Sequence, residues 1–164
     1  EEFFDPHLQS QDTLAYESHG VHIVKSEIHN ILGEQVNCLI QGRVYCYSYI
    51  VNFISPAETV RFGMMIKTLS GMELGGAASS ASASDAISYI SAGSTVRVAF
   101  NFECNLNPGT YFLNSGVMGV VTGSETYLHR LLDACLFRVF PISNNTSTGI
   151  VDFKCISNIE HVEL

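Results

Sequence analysis

Residues 61–76, RFGMMIKTLSGMELGG, are the stretch that decides the fold. Apolar side chains stand at every second position of its first half, which is the period of a strand with one buried face. These positions are Phe62, Met64 and Ile66. Residues 70–71, Ser-Gly, follow as a turn, because glycine adopts the positive φ of a tight reversal at little cost. The chain then returns through residues 72–76, so this stretch predicts a β-hairpin.

Further strand-like stretches lie on both sides of the hairpin. Dense or alternating β-forming residues occupy residues 21–30, 43–53, 94–104, 110–121 and 150–156. Residues 127–140 are ambiguous, since their first half has helical spacing, whereas the second half favours a strand. About eight or nine short strands with almost no helix predict an all-β fold, an antiparallel β-sandwich of immunoglobulin-like or jelly-roll type.

The two ends of the chain differ in character. Residues 1–19 contain Pro6 and scattered aromatic residues without a period, and we interpret them as a linker segment from a missing N-terminal domain. Residues 20–164 are expected to form one β-sandwich domain, in which residues 77–86, AASSASASDA, make a mobile loop. No run approaches the roughly 18 apolar residues of a membrane helix, and the start of the chain has no signal-peptide pattern, so we expect a soluble protein.

Composition narrows the choice of partner. Of the 164 residues, 46% are hydrophobic, and 8 Lys and Arg stand against 16 Asp and Glu, for a net charge of -8. Such a chain offers no basic patch to neutralise phosphates, so a nucleic acid is not expected to be its partner. The cysteine count is odd, at 5, without a C-x-x-C pair, which favours free thiols in a reducing cytoplasm over a secreted disulfide fold.

One strand carries a row of aromatic side chains suited to sugars. Tyr45, Tyr47 and Tyr49 share one face of residues 43–53. Aromatic rings stack on the C–H face of a pyranose, while their hydroxyl groups can meet its oxygens. The row is a carbohydrate platform if the opposite face, which begins at Val44, forms the core. The alternative is that the tyrosines themselves are core residues.

A second set of candidates is polar. Arg97 and Asn101 stand on the polar face of the most regular strand, on either side of the small residue Ala99. We expect them to hold a ligand oxygen, with Arg61 or Arg138 nearby, because the guanidinium fork suits such oxygens. The alternative is a solvated strand face.

Catalytic and metal-binding signatures are missing from the sequence. His19-x-x-His22 is the closest approach to a metal motif, but neither H-x-H nor H-E-x-x-H occurs. Neither a G-x-S-x-G elbow nor a phosphate-binding G-x-x-x-x-G-K-[ST] loop is present. Glu103 and Asp133 are the remaining candidates for a glycosidase carboxylate pair. We therefore expect neither an enzyme nor a bound metal or cofactor.

The ordered set of patterns resembles one family, the C-terminal domain of O-antigen ABC-transporter ATPase subunits, the Wzt family. The hairpin at 61–76 is similar to the family's, and other matching steps follow in the same order. They are a Gly20-led first strand, Ile90 to Gly93, the Leu106-x-x-Gly109-x-Tyr111-x-Leu113 signature, Phe137 with Val139, and a Gly149-led last strand. The resemblance covers roughly residues 16–156.

This resemblance implies a specific role. Family members look like immunoglobulin-type sandwiches behind a nucleotide-binding domain, and they bind the capped non-reducing end of an O-polysaccharide for export. They pair as homodimers by exchange of the C-terminal strand, for which the strand predicted at 150–156 is suited. The implied location is the cytoplasmic side of the inner membrane, against a transmembrane transporter subunit.

Two other functions fit the same residues. One is a module that drives dimerisation or docks the transporter, for which a large apolar patch would speak. The other is a β-sandwich glycoside hydrolase, for which two converging carboxylates would speak. An exposed aromatic face with polar groups favours carbohydrate recognition over both.

Overall fold

The computed structural model describes residues 1–164, which form ten strands. They are β1 (Leu14–Ala15), β2 (Val21–His29), β3 (Cys38–Ile40), β4 (Val44–Phe53), β5 (Ala57–Thr68), β6 (Glu73–Ala78), β7 (Ile87–Ile90), β8 (Thr95–Glu103), β9 (Gly109–Val121) and β10 (Ser124–Phe140). The predicted loop at 77–86 supplies the end of β6 and one 3-10 turn, Ala83–Asp85. The predicted all-β fold is confirmed, and the strands beyond the expected number are short.

The strands form two sheets that pack face to face. The larger sheet has the order β1-β10-β9-β5-β6, with β3 added to β10 and β7 added to β5. The smaller sheet has the order β2-β4-β8. Pairing is antiparallel throughout, except between β3 and β10. The molecule is thus an antiparallel β-sandwich, as the period-two patterns predict.

The hairpin that decides the fold is β5 with β6. Gly63 pairs with Ala78 and Ile66 with Gly75. A Cβ on Gly76 would collide with the Met64 carbonyl oxygen, so this position of the hairpin requires glycine. Alternate side chains of β5, including Phe62 and Met64, are buried between the sheets. The opposite side chains of β5 form part of the outer face of the larger sheet.

The row of tyrosines on β4 lies inside the molecule, which corrects its interpretation as an exposed platform. Tyr45, Tyr47 and Tyr49 are 0–1% exposed and belong to the core cluster. The Tyr49 hydroxyl donates to the Gly63 carbonyl at 2.8 Å. The Tyr45 hydroxyl donates to a Glu2 carboxylate oxygen at 2.7 Å. Because the hydroxyl groups of Tyr45 and Tyr49 have partners inside the fold, these two rings can be buried at little polar cost.

The ambiguous residues 127–140 are strand throughout. β10 pairs with β9 from Ser124 to Val139, with register shifts that leave extra residues on β10. One shift contains Asp133, whose φ of 55° is in the left-handed region. The helical spacing of the first half arises because the extra residues of these bulges change which side chains face the core.

The segment predicted as a linker lies along the sandwich. Phe3 pairs with Cys38, and β1 pairs with β10. The Asn37 amide donates to the carbonyls of Asp5 and Leu8 at 2.8 and 3.0 Å, and its oxygen accepts from the Asp5 N–H at 2.7 Å. These bonds hold the first turn of the chain against the larger sheet. A link to a further domain stays a prediction.

The last strand expected, at 150–156, is not formed in the structure. Only Val151 pairs, with Leu106, as an isolated bridge. Beyond it Phe153, Ile156 and Ile159 are 82–96% exposed. The residues after Val151 therefore pair with no strand in the single chain, although their β-forming pattern suits one.

Candidate functional site

A trough crosses the outer face of the larger sheet. Its floor lacks large side chains because Gly63, Gly116 and Ala78 are neighbours across β5, β9 and β6. The trough has a volume of about 370 Å³. Its flanks carry two methionines and a tyrosine, namely Met65, Met118 and Tyr127. A flat molecule can therefore approach the backbone of the sheet between apolar walls.

The Tyr127 ring lies down on the glycine floor. Tyr127 pairs with Met118, which lies two residues from Gly116 on β9. A Cβ on Gly116 would be 3.0 Å from Cε1 of the ring, so the ring occupies the space that any larger residue would fill. The side chain is nevertheless 44% exposed. The result is an aromatic ring that is supported from below and partly open to solvent.

The Arg130 guanidinium lies over this ring. Its guanidinium carbon is 4.8 Å from the centre of the Tyr127 ring and 5.7 Å from that of Tyr16. Tyr16 is positioned by a backbone hydrogen bond of 2.9 Å from its N–H to the Arg130 carbonyl. The guanidinium thus lies between two aromatic rings, an arrangement that limits the motion of all three side chains.

Polar groups line the same trough. The Asn114 Oδ1 accepts a hydrogen bond of 2.9 Å from the Asp133 N–H at the β10 bulge. This bond fixes the orientation of the amide, and the Nδ2 donors are the part available to a ligand. Glu73 contributes a carboxylate from β6. Planar polar groups beside an aromatic ring are the combination that sugar hydroxyls and C–H faces require.

Charges beside the trough are neutralised by ion pairs. Arg61 donates to both oxygens of Glu125, at 2.9 and 2.6 Å, and to the Ser80 carbonyl at 3.0 Å. The hydrogen bonds from Arg61 lower the pKa of the Glu125 carboxyl. Lys67 reaches Asp133 at 2.6 Å. Arg61, predicted as a ligand-binding residue, is therefore occupied by protein partners.

The other predicted residues are spread over the molecule. Arg97 and Asn101 lie on β8, on the outer face of the smaller sheet, where both line a cavity of about 570 Å³. Arg138 is exposed on β10, where it pairs with Thr110 and Cys38, away from both cavities. The structure brings Arg97 and Asn101 together, but it does not bring Arg61 or Arg138 to them.

The candidate catalytic and metal-binding residues do not converge. Glu103 ends β8 in the smaller sheet and lies 3.7 Å from Lys154, whereas Asp133 belongs to the larger sheet and pairs with Lys67. These two carboxylates therefore do not form the pair of a glycosidase. No group of three or more His, Cys, Asp or Glu side chains is close enough together to hold a metal ion. No helix of sufficient length and hydropathy to span a bilayer is found.

The best side chains of the trough were missed by sequence reasoning. Tyr127 and Arg130 lie in the stretch with helical spacing, and Tyr16 lies in the segment interpreted as a linker. The available signal was an exposed aromatic residue facing glycines on neighbouring strands. That signal requires the pairing of β9 with β10, which no local pattern reveals.

The fold is an antiparallel β-sandwich with an open face on each sheet. The family model for the Wzt C-terminal domain matches residues 12–153. The chain belongs to the Wzt C-terminal domain family.

Solved structures agree with this assignment at the level of the fold. A crystal structure of the C-terminal domain of Wzt is similar over 93% of this chain and 92% of that chain, with a TM-score of 0.80 and 23% identity. Pseudomonas fluorescens alkylpurine DNA glycosylase AlkC, bound to DNA containing an abasic site analog, gives a TM-score of 0.44. Its identity is 13%, over 73% of this chain and 30% of that chain, and it has no bearing on function. Comparison with curated proteins gave no match.

Proposed function

We propose that this domain is a non-catalytic recognition module that binds an O-polysaccharide in the trough of the larger sheet. The observation that carries the proposal is the Tyr127 ring, which lies on Gly116 beside Arg130 and remains 44% exposed. A ring held in this way offers a stacking face without losing side-chain freedom on binding. Membership of the Wzt C-terminal domain family supports a polysaccharide as the ligand.

The shape of the trough suits a sugar better than an apolar peptide. Its floor is backbone, its flanks are Met65, Met118 and Tyr127, and Asn114 and Glu73 provide hydrogen-bonding groups. The ion pairs of Arg61 and Lys67 leave little net charge beside it. We therefore expect affinity to come from stacking and hydroxyl contacts, with weak dependence on salt.

We extend the proposal to a finer role, which membership of the family supports. The domain would bind the capped non-reducing end of the finished chain and so commit it to export. It would act on the cytoplasmic side of the inner membrane as part of an ATPase subunit, which contacts a transmembrane transporter subunit. Binding alone would discriminate between correct and incorrect chains, since the difference in their affinities sets specificity.

We further propose a homodimer formed by exchange of the C-terminal segment. The apolar side chains of Phe153, Ile156 and Ile159 are exposed in the single chain. The outer edge of β8 has no neighbouring strand, and Val151 already pairs with Leu106 just beyond β8. A partner's tail could add to such an edge by main-chain hydrogen bonds. Dimerisation is thus a second function that specific residues favour.

A binding titration tests the recognition role. The purified domain is titrated with a panel of purified O-polysaccharides, each in capped and uncapped form, at 50 and 300 mM salt. We expect saturable binding of one capped polymer, little binding of its uncapped form, and similar affinity at both salt concentrations. Equal binding of capped and uncapped polymers would contradict recognition of the cap, and absence of binding across the panel would leave dimerisation as the function.

A further inference from the structure

The smaller sheet carries cations that have no partner in the protein. Four of the 8 Lys and Arg residues pair with carboxylates, and Arg130 lies between two tyrosines. The four are Arg43, Arg61, Lys67 and Lys154. Lys25, Arg97 and Arg138 remain. Two of these three, Lys25 and Arg97, line the same cavity on the outer face of the smaller sheet.

A β-bulge places Lys25 in this cavity. Val24 pairs with Ile50, and Ile50 pairs with Arg97, so these three side chains form one row across the sheet. The register then shifts before Glu27, and Lys25 takes a φ of 59°. A left-handed conformation costs a residue with a Cβ about 1 kcal/mol. Bulges of this kind redirect a side chain, here towards the row that contains Arg97.

The side chains that line the cavity include two cations and one carboxylate. Glu27 is the single carboxylate among the lining residues, and its oxygen lies 3.4 Å from Nε2 of His29. Asn101 adds an amide from the strand that carries Arg97. Lysine, arginine and an amide around one space are the donors that bind oxyanions.

We propose that the outer face of the smaller sheet is a second ligand site, which binds an oxyanion carried on a small hydroxylated molecule. Arg97 and Lys25 contact the anionic group, a phosphate monoester or a carboxylate, and Asn101 donates a further hydrogen bond. The cavity of about 570 Å³ is of the size that holds a small ligand. This site is separate from the trough, because the two lie on opposite faces of the sandwich, and it does not depend on the proposed polysaccharide.

Binding of defined sugars tests the site. The whole chain is titrated with glucose 6-phosphate, glucuronate and glucose at 20 mM salt, with binding followed by amide chemical shifts. We expect one or both anions to bind saturably and glucose not to bind. The anion with the higher affinity identifies the oxyanion. Binding should weaken at 300 mM salt, since exposed charges are screened there.

Variants separate this site from general electrostatics and from the trough. Arg97→Gln and Lys25→Gln should each weaken anion binding about fivefold or more, as expected for loss of one charge-assisted contact. Arg138→Gln is the matched control, because it removes the third unpaired cation away from the cavity, and it should leave binding unchanged. Tyr127→Ala should also leave it unchanged.

Three results would overturn the proposal. They are the absence of saturable binding by either anion, equal affinity for glucose, and equal weakening by Arg138→Gln. These results would leave the proposed role of the trough unaffected, because that role is tested separately with a polysaccharide and with Tyr127 variants.

Discussion

Gly116 allows the Tyr127 ring to lie close to the backbone of the sheet. The ring rests where a Cβ would be 3.0 Å from Cε1, so an alanine at 116 would force the ring to shift by a few tenths of an ångström. The Arg130 guanidinium lies over the ring, 4.8 Å from its centre, and limits its motion further. An exposed aromatic side chain usually loses rotamer freedom when it binds, and here that loss has already occurred on folding. Two neighbouring residues thus convert an ordinary surface tyrosine into a fixed stacking face.

His129 makes stability dependent on pH. Its Nδ1 accepts the Ile23 N–H at 2.9 Å, which requires a neutral ring. Burial lowers the pKa of His129 below the ordinary 6.5, and nearby His22 lowers it further, against a hydrogen bond with the backbone of Tyr16. Since the unfolded chain binds the proton more readily, this stability is present above pH 6.5 and is lost as the pH falls from there towards the lower folded-state pKa.

We therefore expect the unfolding temperature to fall between pH 7 and pH 5.5. In His129→Asn, whose side-chain oxygen can accept the same N–H, the fall in this window should be smaller. Carboxyl groups with a lowered pKa, such as that of Glu125, change stability only below about their ordinary pKa of 4.5. They therefore do not contribute to the difference between pH 7 and pH 5.5. Parallel pH curves for the two proteins, measured by thermal melts, would contradict the role of His129.

At the scale of elements, the N-terminal segment is part of the sandwich through Asn37. Its three hydrogen bonds to Asp5 and Leu8 are the main polar contacts of the first turn. Asn37→Ala should reduce the free energy of unfolding by about 1–3 kcal/mol, because buried backbone groups lose their partners. Asn158→Ala, in the exposed tail, is the matched control and should change nothing. Equal stability of both variants in urea would show that the segment is not anchored this way.

Sequence patterns predicted where the strands lie better than they predicted which face of each strand is buried. The alternation in β5 and β8 identified these strands because one of their faces is polar or small. β4 is apolar on both faces, since Val44 and Ile50 oppose the tyrosines, and alternation alone does not say which face is inside. The tyrosines can be buried because groups distant in sequence accept their hydrogen bonds. One example is the Gly63 carbonyl, which is 14 residues away from Tyr49. The position of the core in β4 is therefore a property of tertiary contacts.

The candidate site was less predictable than the fold. The trough joins Gly63, Gly116 and Tyr127, which meet through the pairing of β5, β9 and β10. The register of β10 depends on its bulges, and the same bulges gave residues 127–140 a helical spacing. Arg97 and Asn101 were recognised because they lie on one strand, where spacing of two is enough. Sites within a strand can be predicted from sequence, whereas sites across strands require the register.

At the scale of the whole molecule, the tail at 150–164 should control the oligomeric state. The apolar side chains of this tail beyond Val151 are largely exposed in the single chain, as the 96% exposure of Ile156 shows. We expect the intact chain to be a dimer and a chain ending at Gly149 to be a folded monomer, because the truncation removes only the exchanged segment. Light scattering at several concentrations measures both. A truncated chain that remains dimeric would place the interface elsewhere.

The most direct test of the account is the affinity of Tyr127 variants for the polysaccharide that the domain binds. Loss of one stacking contact is worth about 1 kcal/mol, so Tyr127→Ala should raise Kd roughly fivefold or more, with an unchanged unfolding temperature. Tyr127→Phe keeps the ring and should bind almost as the natural chain does, as should the surface control Arg138→Gln. If Tyr127→Ala binds as well as the natural chain while Arg97→Gln does not, the polysaccharide occupies the smaller sheet and the central claim is wrong.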